Sequence, residues 1–288
     1  MMNLKVCTDP PLDYFEAISR EKDPPRREQL LALLDTIAKA YESYRATCPS
    51  LESLPALPLT EEAQENLLHC YNSRTKHLSL LKARIKGSQS AVLKASCQYC
   101  MLDTPGTYDH YLPKAEYPEF SVCSLNLVLC CADCNLRRKD AWRNDKGERQ
   151  HVHLYCDAID QSEEVLFADI HFAKVPSATF RLELTKVHSK PFYQLLDRHF
   201  TQLKLLERYG LAAPVQMSEH HRTIRELSVD LTPARIADVF RRQLAADIKA
   251  WGPHHWKVAL LRAVCDTPRF IQFALDTSLS IWEEQEAP

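Results

Sequence analysis

The chain has 288 residues, and its 36 Lys and Arg against 38 Asp and Glu give a formal net charge of −2. Only 5 residues are glycine, about 2% of the chain against roughly 7% in average proteins, which excludes collagen-like and glycine-rich linker classes. The sequence contains neither a Walker A loop nor a G-x-G-x-x-G turn, so it offers no nucleotide-binding loop. The near-neutral charge does not by itself indicate a nucleic-acid partner.

The first 95 residues are expected to form a helical region. Apolar side chains recur at helical spacing between Leu30 and Tyr41, and Thr60 is suited to cap a further helix. The N-terminus has no apolar segment of the kind found in secretory signals, and no apolar run is long enough to span a bilayer. The sequence therefore predicts a cytoplasmic protein without a membrane partner.

A basic stretch between residues 74 and 94 contains six Lys or Arg residues and no Asp or Glu. One interpretation is a solvated helix face. The other is a grip on the phosphate backbone of a nucleic acid, with the candidate contacts Lys82, Arg84 and Lys86.

The 11 cysteines are unevenly placed, because six of them fall between residues 97 and 134. In a reducing compartment, such clustering indicates metal or redox chemistry more often than disulfides. Two C-x-x-C pairs with 30 residues between them have the spacing of ligands for one tetrahedral zinc ion. The predicted zinc ligands are Cys97, Cys100, Cys131 and Cys134.

These cysteines allow two alternative interpretations. Cys130 could replace Cys131 at C-x3-C spacing, but Cys131 repeats the spacing of the first pair, and Cys123 and Cys130 suit a buried core. A redox dithiol would be expected after a strand in a βαβ unit, which this region does not resemble. A structural zinc ion is therefore the favoured interpretation.

The segment between the cysteine pairs reads as strand, loop, strand and helix. Residues 107–112 alternate like a short strand, residues 126–129 form a second, and a helix is expected from Cys134 onward. The sequence thus predicts a small ββα unit that zinc holds at both ends.

Together these motifs resemble the HNH, or ββα-metal, endonuclease family. The resemblance covers roughly residues 95–142 and includes the pattern Asp109-His110-x-x-Pro-Lys between the cysteine pairs. It implies that His110 is the general base that activates water, and that Asp109 is a ligand of a catalytic divalent metal. Asn126 matches the middle asparagine, whose amide holds the catalytic loop and so orients His110.

The last histidine of the family pattern is replaced in this chain by Asn135, which would be the second ligand of the catalytic metal. A neutral carbonyl oxygen suits Mg²⁺ or Mn²⁺ better than Zn²⁺. The resemblance also implies that Arg138 and Lys114 contact phosphate.

A second resemblance begins after the zinc motif, where residues 150–157 contain a histidine, tyrosine and aspartate at alternate positions. The stretch is similar to the HNH effectors of bacterial anti-phage systems of the Septu and retron-associated types. That similarity implies an ABC/SMC-like ATPase partner, which would have to supply the nucleotide-binding loop that this chain lacks. For His151 and His153, packing in a strand is preferred over metal binding.

The remainder of the chain is predicted to be strand-rich over residues 151–188 and helical over residues 189–288. Gly210 is expected to end a helix, and the pairs His220-His221 and His254-His255 are interpreted as surface or capping residues.

The predicted fold class is α+β and mostly helical, with a small zinc-stabilised ββα-metal core flanked by helical regions. The predicted regions are 1–95, 96–150, 151–188 and 189–288. The expected function is metal-dependent hydrolysis of phosphodiester bonds, with DNA favoured over RNA, in an anti-phage defence system. The alternative is a catalytically inactive, zinc-stabilised nucleic-acid-binding or adaptor protein.

Overall fold

A computed structural model describes residues 1–139, 141–172, 176–183 and 190–276. The chain divides into two compact units, of which the first is Asn3–Ala158 and the second combines Met1–Met2 with the described residues from Ile159 onward. Helices dominate both units and the strands form two small antiparallel sheets, so the predicted mostly helical α+β class is confirmed. Among the described residues, no helix is both long and apolar enough to cross a membrane.

The first unit begins with helices, as predicted, and continues with a hairpin and a short helix. Its elements are α1 (Pro11–Arg20), α2 (Arg26–Ala32), α3 (Leu34–Thr47), α4 (Glu61–Asn72), α5 (Lys76–Gly87), α6 (Ala91–Ala95), β1 (Thr107–His110), β2 (Leu127–Cys130) and α7 (Ala132–Arg138).

Three consecutive helices of this unit start with a side-chain cap. The hydroxyl groups of Thr60, Thr75 and Ser90 each accept a hydrogen bond from the backbone N–H three residues later, at 3.2, 3.2 and 3.4 Å. Such caps satisfy one of the N–H groups that a helix leaves unpaired in its first turn. The predicted cap at Thr60 is confirmed.

The predicted order of strand, loop, strand and helix is also confirmed. β1 and β2 pair antiparallel, with Thr107 opposite Cys130 and His110 opposite Leu127, and every side chain of β2 is buried. The helix α7 starts two residues earlier than predicted, because Cys131 serves as its N-cap and accepts a hydrogen bond from the N–H of Cys134. The hairpin therefore leads directly into α7.

Large aromatic side chains fill the core beside the hairpin. Tyr44 of α3 lies edge to face against Phe120 with the ring centroids 5.0 Å apart, and both side chains are buried. Tyr111, which follows β1, is also fully buried. Aromatic burial of this kind contributes strongly to stability, so α3 and the loop between the strands form part of one core.

The second unit contains a hairpin followed by long helices. Its elements are β3 (Leu166–His171), β4 (Ser177–Leu182), α8 (Lys190–Gln202), α9 (Leu205–Leu227), α10 (Pro233–Trp251), α11 (Trp256–Asp266) and α12 (Pro268–Leu275). These elements confirm strands within 151–188 and helices after 189. The parts of these predictions at residues 173–175, 184–189 and 277–288 lie outside the described residues.

Two predictions for the second unit are wrong. Gly210 does not end a helix but lies inside α9, where a Cβ atom would be 3.4 Å from the carbonyl oxygen of Ala178, so the glycine allows the helix to approach β4 closely. His220 and His221 are buried rather than on the surface, and the His220 ring packs against Phe240. The amphipathic packing of α9 explains both observations, since its inner face is apolar around these positions.

The capping role predicted for the second histidine pair is confirmed at one residue. The side chain of His255 accepts a hydrogen bond from the N–H of Lys257 and so caps α11. His254 is buried, and its Nε2 lies 2.6 Å from the carbonyl oxygen of Asp160.

Candidate functional site

The four predicted zinc ligands lie together at the base of the ββα unit. The sulfur atoms of Cys97, Cys100, Cys131 and Cys134 are all within 4.8 Å of one another, and all four residues are buried. The Cys100 and Cys131 sulfurs are 3.8 Å apart. A tetrahedral zinc ion with bonds of about 2.3 Å sets its sulfur ligands about 3.8 Å apart. The cluster thus has the donor set and the spacing that zinc requires.

The backbone around these cysteines donates hydrogen bonds to sulfur. The N–H of Leu102 faces the Cys100 sulfur at 3.5 Å, and the N–H of Cys134 faces the Cys131 sulfur at 3.4 Å. Met101 adopts a positive φ of 58°, which closes the tight turn after Cys100. Hydrogen bonds from neighbouring thiols, first that of Cys131, lower the pKa of Cys100. Hydrogen bonds from Cys100 raise the pKa of Cys97 and Cys134, so only part of the cluster favours the thiolate form that binds metal.

Cys123 and Cys130 lie outside this cluster, as predicted. Burial raises the pKa of the Cys123 and Cys130 thiols to about 12. The Cys130 sulfur lies 3.5 Å from the hydroxyl of Thr107 across the hairpin. The preference for Cys131 over Cys130 is confirmed, because Cys131 belongs to the cysteine cluster whereas Cys130 pairs with Thr107 in the hairpin.

A pocket of about 250 Å³ opens beside the end of β1. It brings together four of the residues predicted from the sequence: Asp109, His110, Lys114 and Asn135. Tyr71, Tyr108, Pro113 and Lys139 complete its lining.

His110 is held in this pocket as a neutral imidazole. Its Nε2 lies 2.9 Å from the carbonyl oxygen of Ser121, so Nε2 carries the proton and the lone pair is on Nδ1. The ring packs edge to face against Tyr71, with the centroids 4.3 Å apart. Burial, assisted by the charges of Lys114 and Lys82 and opposed by the hydrogen bond to Ser121, lowers the pKa of His110 to about 4. The imidazole is therefore unprotonated at neutral pH, as a general base must be, and its low pKa makes it a weaker base than an ordinary histidine.

Asn126 lies outside the pocket and links two parts of the loop between the strands through its side-chain amide. Its Oδ1 accepts a hydrogen bond from the N–H of Leu112 at 2.7 Å, and its Nδ2 donates to the carbonyl oxygens of Leu112 and Phe120 at 3.0 and 3.3 Å. The next residue after Phe120 is Ser121, whose carbonyl oxygen holds the His110 ring. Asn126 therefore fixes the loop that orients His110.

Arg138 requires a correction, because it is buried and does not reach the pocket as an exposed phosphate contact. Its guanidinium forms an ion pair with Asp109 and donates to the hydroxyl of Tyr99 and the carbonyl oxygen of Tyr111. Arg138 is 1% exposed and Asp109 is 3% exposed. The resemblance implies a phosphate contact for Arg138, but its guanidinium is instead paired with Asp109 in the core.

The oxygen donors that line the pocket are few for a catalytic Mg²⁺ or Mn²⁺ ion. They include the Asp109 carboxylate, which already pairs with Arg138, and the Asn135 amide. Mg²⁺ commonly keeps several waters and uses one or two carboxylates together with substrate phosphates. The residues therefore fit such an ion only in combination with waters and a phosphate group.

Of the predicted basic residues, Lys114 lines the pocket and Lys82 lies against Tyr71, which is part of the lining, whereas Arg84 and Lys86 do not reach it. The Nζ atoms of Lys82 and Lys114 are 4.1 and 5.2 Å from the centroid of the Tyr71 ring, a cation–π arrangement. Arg84 is exposed and lies 3.6 Å from a carboxylate oxygen of Asp9. Lys86 is also exposed. The basic residues of α5 in this stretch thus lie on different faces of the helix. A carboxylate from another segment, that of Asp9, lies near one of these residues, Arg84.

Tyr71, Tyr108 and Lys139 line the pocket but were not singled out from the sequence. Tyr71 is distant in sequence and reaches the pocket through packing of α4. Lys139 follows Arg138 directly, and its positive φ of 43° turns the chain at the end of α7. In the sequence, the signal that could have identified Lys139 is its position next to Arg138, a basic residue of the motif.

The segment predicted as a strand from His151 to Ile159 forms turns instead. The Asp157 carboxylate accepts a hydrogen bond from the N–H of His153 at 2.7 Å and forms a two-point ion pair with Arg149. These local contacts satisfy the backbone without a partner strand. His153 is fully buried, and burial lowers its pKa to about 3.

The sequence does not predict the bonding of one further pair of cysteines, outside the zinc cluster. Cys48 and Cys156 form a disulfide across 108 positions of sequence, with their Cα atoms 5.8 Å apart. Nothing in the local sequence indicates this pairing, because the end of α3 meets the turn after His153 only through tertiary packing.

Comparison with known proteins gives one distant similarity. The chain is 26% identical over 190 residues to Protein ea31 of Escherichia phage lambda, a match that covers 61% of this chain and 63% of that protein. The chain thus spans less than two thirds of the length of this relative. No known protein family matches the sequence, and no solved structure matches the fold.

Proposed function

We propose that this protein is a metal-dependent endonuclease of the HNH type that hydrolyses phosphodiester bonds, with DNA favoured over RNA as the substrate. The observation that carries the proposal is the pocket at the end of β1. A neutral histidine, an amide and a lysine from three different positions of the motif line it, beside a cysteine cluster suited to zinc.

The motif residues in and beside the pocket have defined roles in this proposal. His110 accepts a proton from water at Nδ1, while Ser121 and Asn126 hold the ring in place. Lys82 and Lys114 attract the phosphate group. A bound Mg²⁺ or Mn²⁺ ion would supply Lewis-acid stabilisation of charge on the phosphate and leaving oxygen, held by Asp109 and Asn135.

The alternative of a catalytically inactive nucleic-acid-binding or adaptor protein is favoured by a different observation. Asp109 already pairs with the buried Arg138, and the pocket lining includes two lysines. This charge distribution suits a phosphate more than a free divalent cation, so binding without cleavage is chemically consistent.

A cleavage assay distinguishes the two functions. Plasmid DNA and RNA are incubated with the protein in Mg²⁺ or Mn²⁺, and His110→Ala is compared with His171→Ala, a control in the exposed hairpin of the second unit. The nuclease proposal expects a loss of at least about 100-fold for His110→Ala, which is the typical contribution of a general base. Equal behaviour of wild type and His110→Ala would reject the nuclease and favour the adaptor.

The biological setting is also a proposal. We infer from the similarity of residues 150–157 to anti-phage effectors that the protein acts in cytoplasmic defence with an ABC/SMC-like ATPase. Co-purification with the product of a neighbouring ATPase gene, followed by cleavage assays with and without ATP, tests this inference.

A further inference from the structure

A second group of metal-binding side chains lies in the first unit, apart from the four clustered cysteines. The sulfur atoms of Cys48 and Cys156 and a ring nitrogen of His153 are all within 4.8 Å of one another. Both cysteines are half-buried and His153 is fully buried. Two thiolates and an imidazole are a common set of zinc ligands in proteins.

The local backbone of this group repeats a feature of the cysteine cluster. His153 and Cys156 are three positions apart, like the two residues of each C-x-x-C pair. The N–H of Asp157 donates to the carbonyl oxygen of His153 at 3.0 Å, just as the N–H of Met101 donates to that of Cys97 at 2.6 Å. Tight turns of this kind place two ligands on one side of the chain.

We propose that Cys48, His153 and Cys156 bind a second zinc ion when the two cysteines are reduced, and form their disulfide when they are oxidised. The Cys156 sulfur is 3.9 Å from Nε2 of His153. Zn–S bonds of about 2.3 Å and Zn–N bonds of about 2.0–2.1 Å separate such ligands by about 3.5 Å in a tetrahedron. The Cys156 sulfur and Nε2 of His153 therefore need to move closer by only a few tenths of an ångström to bind the same zinc ion.

The surroundings of the three ligands are compatible with zinc. The hydroxyl of Tyr44 lies 2.8 Å from Nε2 of His153 and so borders the fourth coordination position, which this hydroxyl or a water fills. Two thiolates balance the charge of Zn²⁺, so the buried site carries no uncompensated charge.

Coordination has three identifiable costs. The sulfur atoms of Cys48 and Cys156 must move from their disulfide bond to about 3.8 Å apart. Binding through Nε2 replaces the hydrogen bond between this atom and the Tyr44 hydroxyl, and it places the ring proton on Nδ1, so the 3.3 Å hydrogen bond from the N–H of Tyr155 is also lost. Two zinc–thiolate bonds and one zinc–imidazole bond are gained in exchange.

The exchange between the two forms balances chemically. An oxidised disulfide compound accepts two electrons from the Cys48 and Cys156 thiolates and two protons from solvent. Its own S–S bond breaks to give two thiols, the Cys48–Cys156 bond forms, and one Zn²⁺ ion is released. A dithiol reductant reverses the reaction, and zinc then displaces the two thiol protons.

The test counts zinc in the full-length protein purified under anaerobic, reducing conditions. We expect two zinc ions per chain in the wild type and one in Cys48→Ser and Cys156→Ser. The matched control is Cys265→Ser, which removes a half-buried cysteine outside both groups and should retain two. Oxidised glutathione should release one zinc ion from the wild type, together with formation of the Cys48–Cys156 disulfide detected by peptide mass spectrometry.

Two results would overturn the proposal. One is a single zinc ion per chain in the reduced wild type, and the other is an unchanged zinc count in Cys48→Ser. The oxidation experiment uses only the wild type, so it remains decisive if a variant folds poorly: formation of the disulfide without loss of zinc rejects the site. None of these measurements depends on nuclease activity.

Discussion

Replacement of Arg138 by methionine would test how strongly the buried ion pair below the pocket holds β1 and α7 together. Arg138 and Asp109 are 1% and 3% exposed, and the guanidinium also donates to Tyr99 at 3.0 Å and Tyr111 at 3.2 Å. Removal of one partner from a buried pair leaves an unpaired charge and costs about 3–5 kcal/mol. We expect Arg138→Met to lower the free energy of unfolding by about this amount.

The neighbouring arginine provides the matched control. Arg137 also pairs with an aspartate, Asp133, at 2.8 Å, but these side chains are 36% and 40% exposed. Arg137→Ala should therefore cost only about 0.3–0.5 kcal/mol. The double variant Asp109→Asn with Arg138→Met should recover part of the loss, because no charge is left buried.

The assay is urea unfolding of the zinc-loaded protein at pH 7, combined with hydrogen exchange of peptides from residues 107–139. Hydrogen exchange assigns the change to the first unit, because these peptides report on residues 107–139 alone. If Arg138→Met and Arg137→Ala differ by less than about 1 kcal/mol, the reasoning from the buried pair is refuted.

Three further predictions concern the pocket and the cysteine cluster. His110 has a pKa of about 4 in the folded protein against an ordinary value of 6.5, so below pH 6.5 the unfolded chain binds a proton that the folded chain does not. Stability should thus fall by about 2 kcal/mol more between pH 7 and pH 5 in the wild type than in His110→Gln, and equal slopes in urea unfolding would contradict the shift. Lys82→Gln and Lys114→Gln should each lower the salt slope of DNA binding by about 1, whereas Arg84→Gln should leave the slope nearly unchanged, as measured by fluorescence anisotropy. Chelation of zinc should expose amides of residues 97–139 to hydrogen exchange while α9 to α12 stay protected, and uniform protection would argue against a structural zinc ion.

Several features of this fold could be read from local sequence because local chemistry causes them. The hydroxyl of Thr60 caps α4 by accepting a hydrogen bond from an N–H only three residues later in the chain. The two C-x-x-C pairs define their own turns, and the segment between them alternates as a hairpin must. Such features depend on neighbouring residues, so the spacing along the chain contains the necessary information.

Other features were wrongly predicted because long-range packing overrides local preference. Gly210 continues α9 because β4 lies close beside it, and the segment after His151 forms turns because Asp157 and Arg149 satisfy each other. The expected phosphate contact Arg138 is buried because Asp109 lies beneath it. In each case the deciding partner is a residue that the local pattern does not identify.

By itself, the sequence determined the mostly helical class, the ββα order and the identity of the four clustered cysteines, since periodicity and ligand spacing are local properties. Tertiary structure alone decided that Tyr71 and Lys82 meet at the His110 pocket, and that Cys48 reaches Cys156 beside His153. The physical reason is that these contacts join segments far apart in the chain, whose proximity follows from the packing of the whole unit around its core.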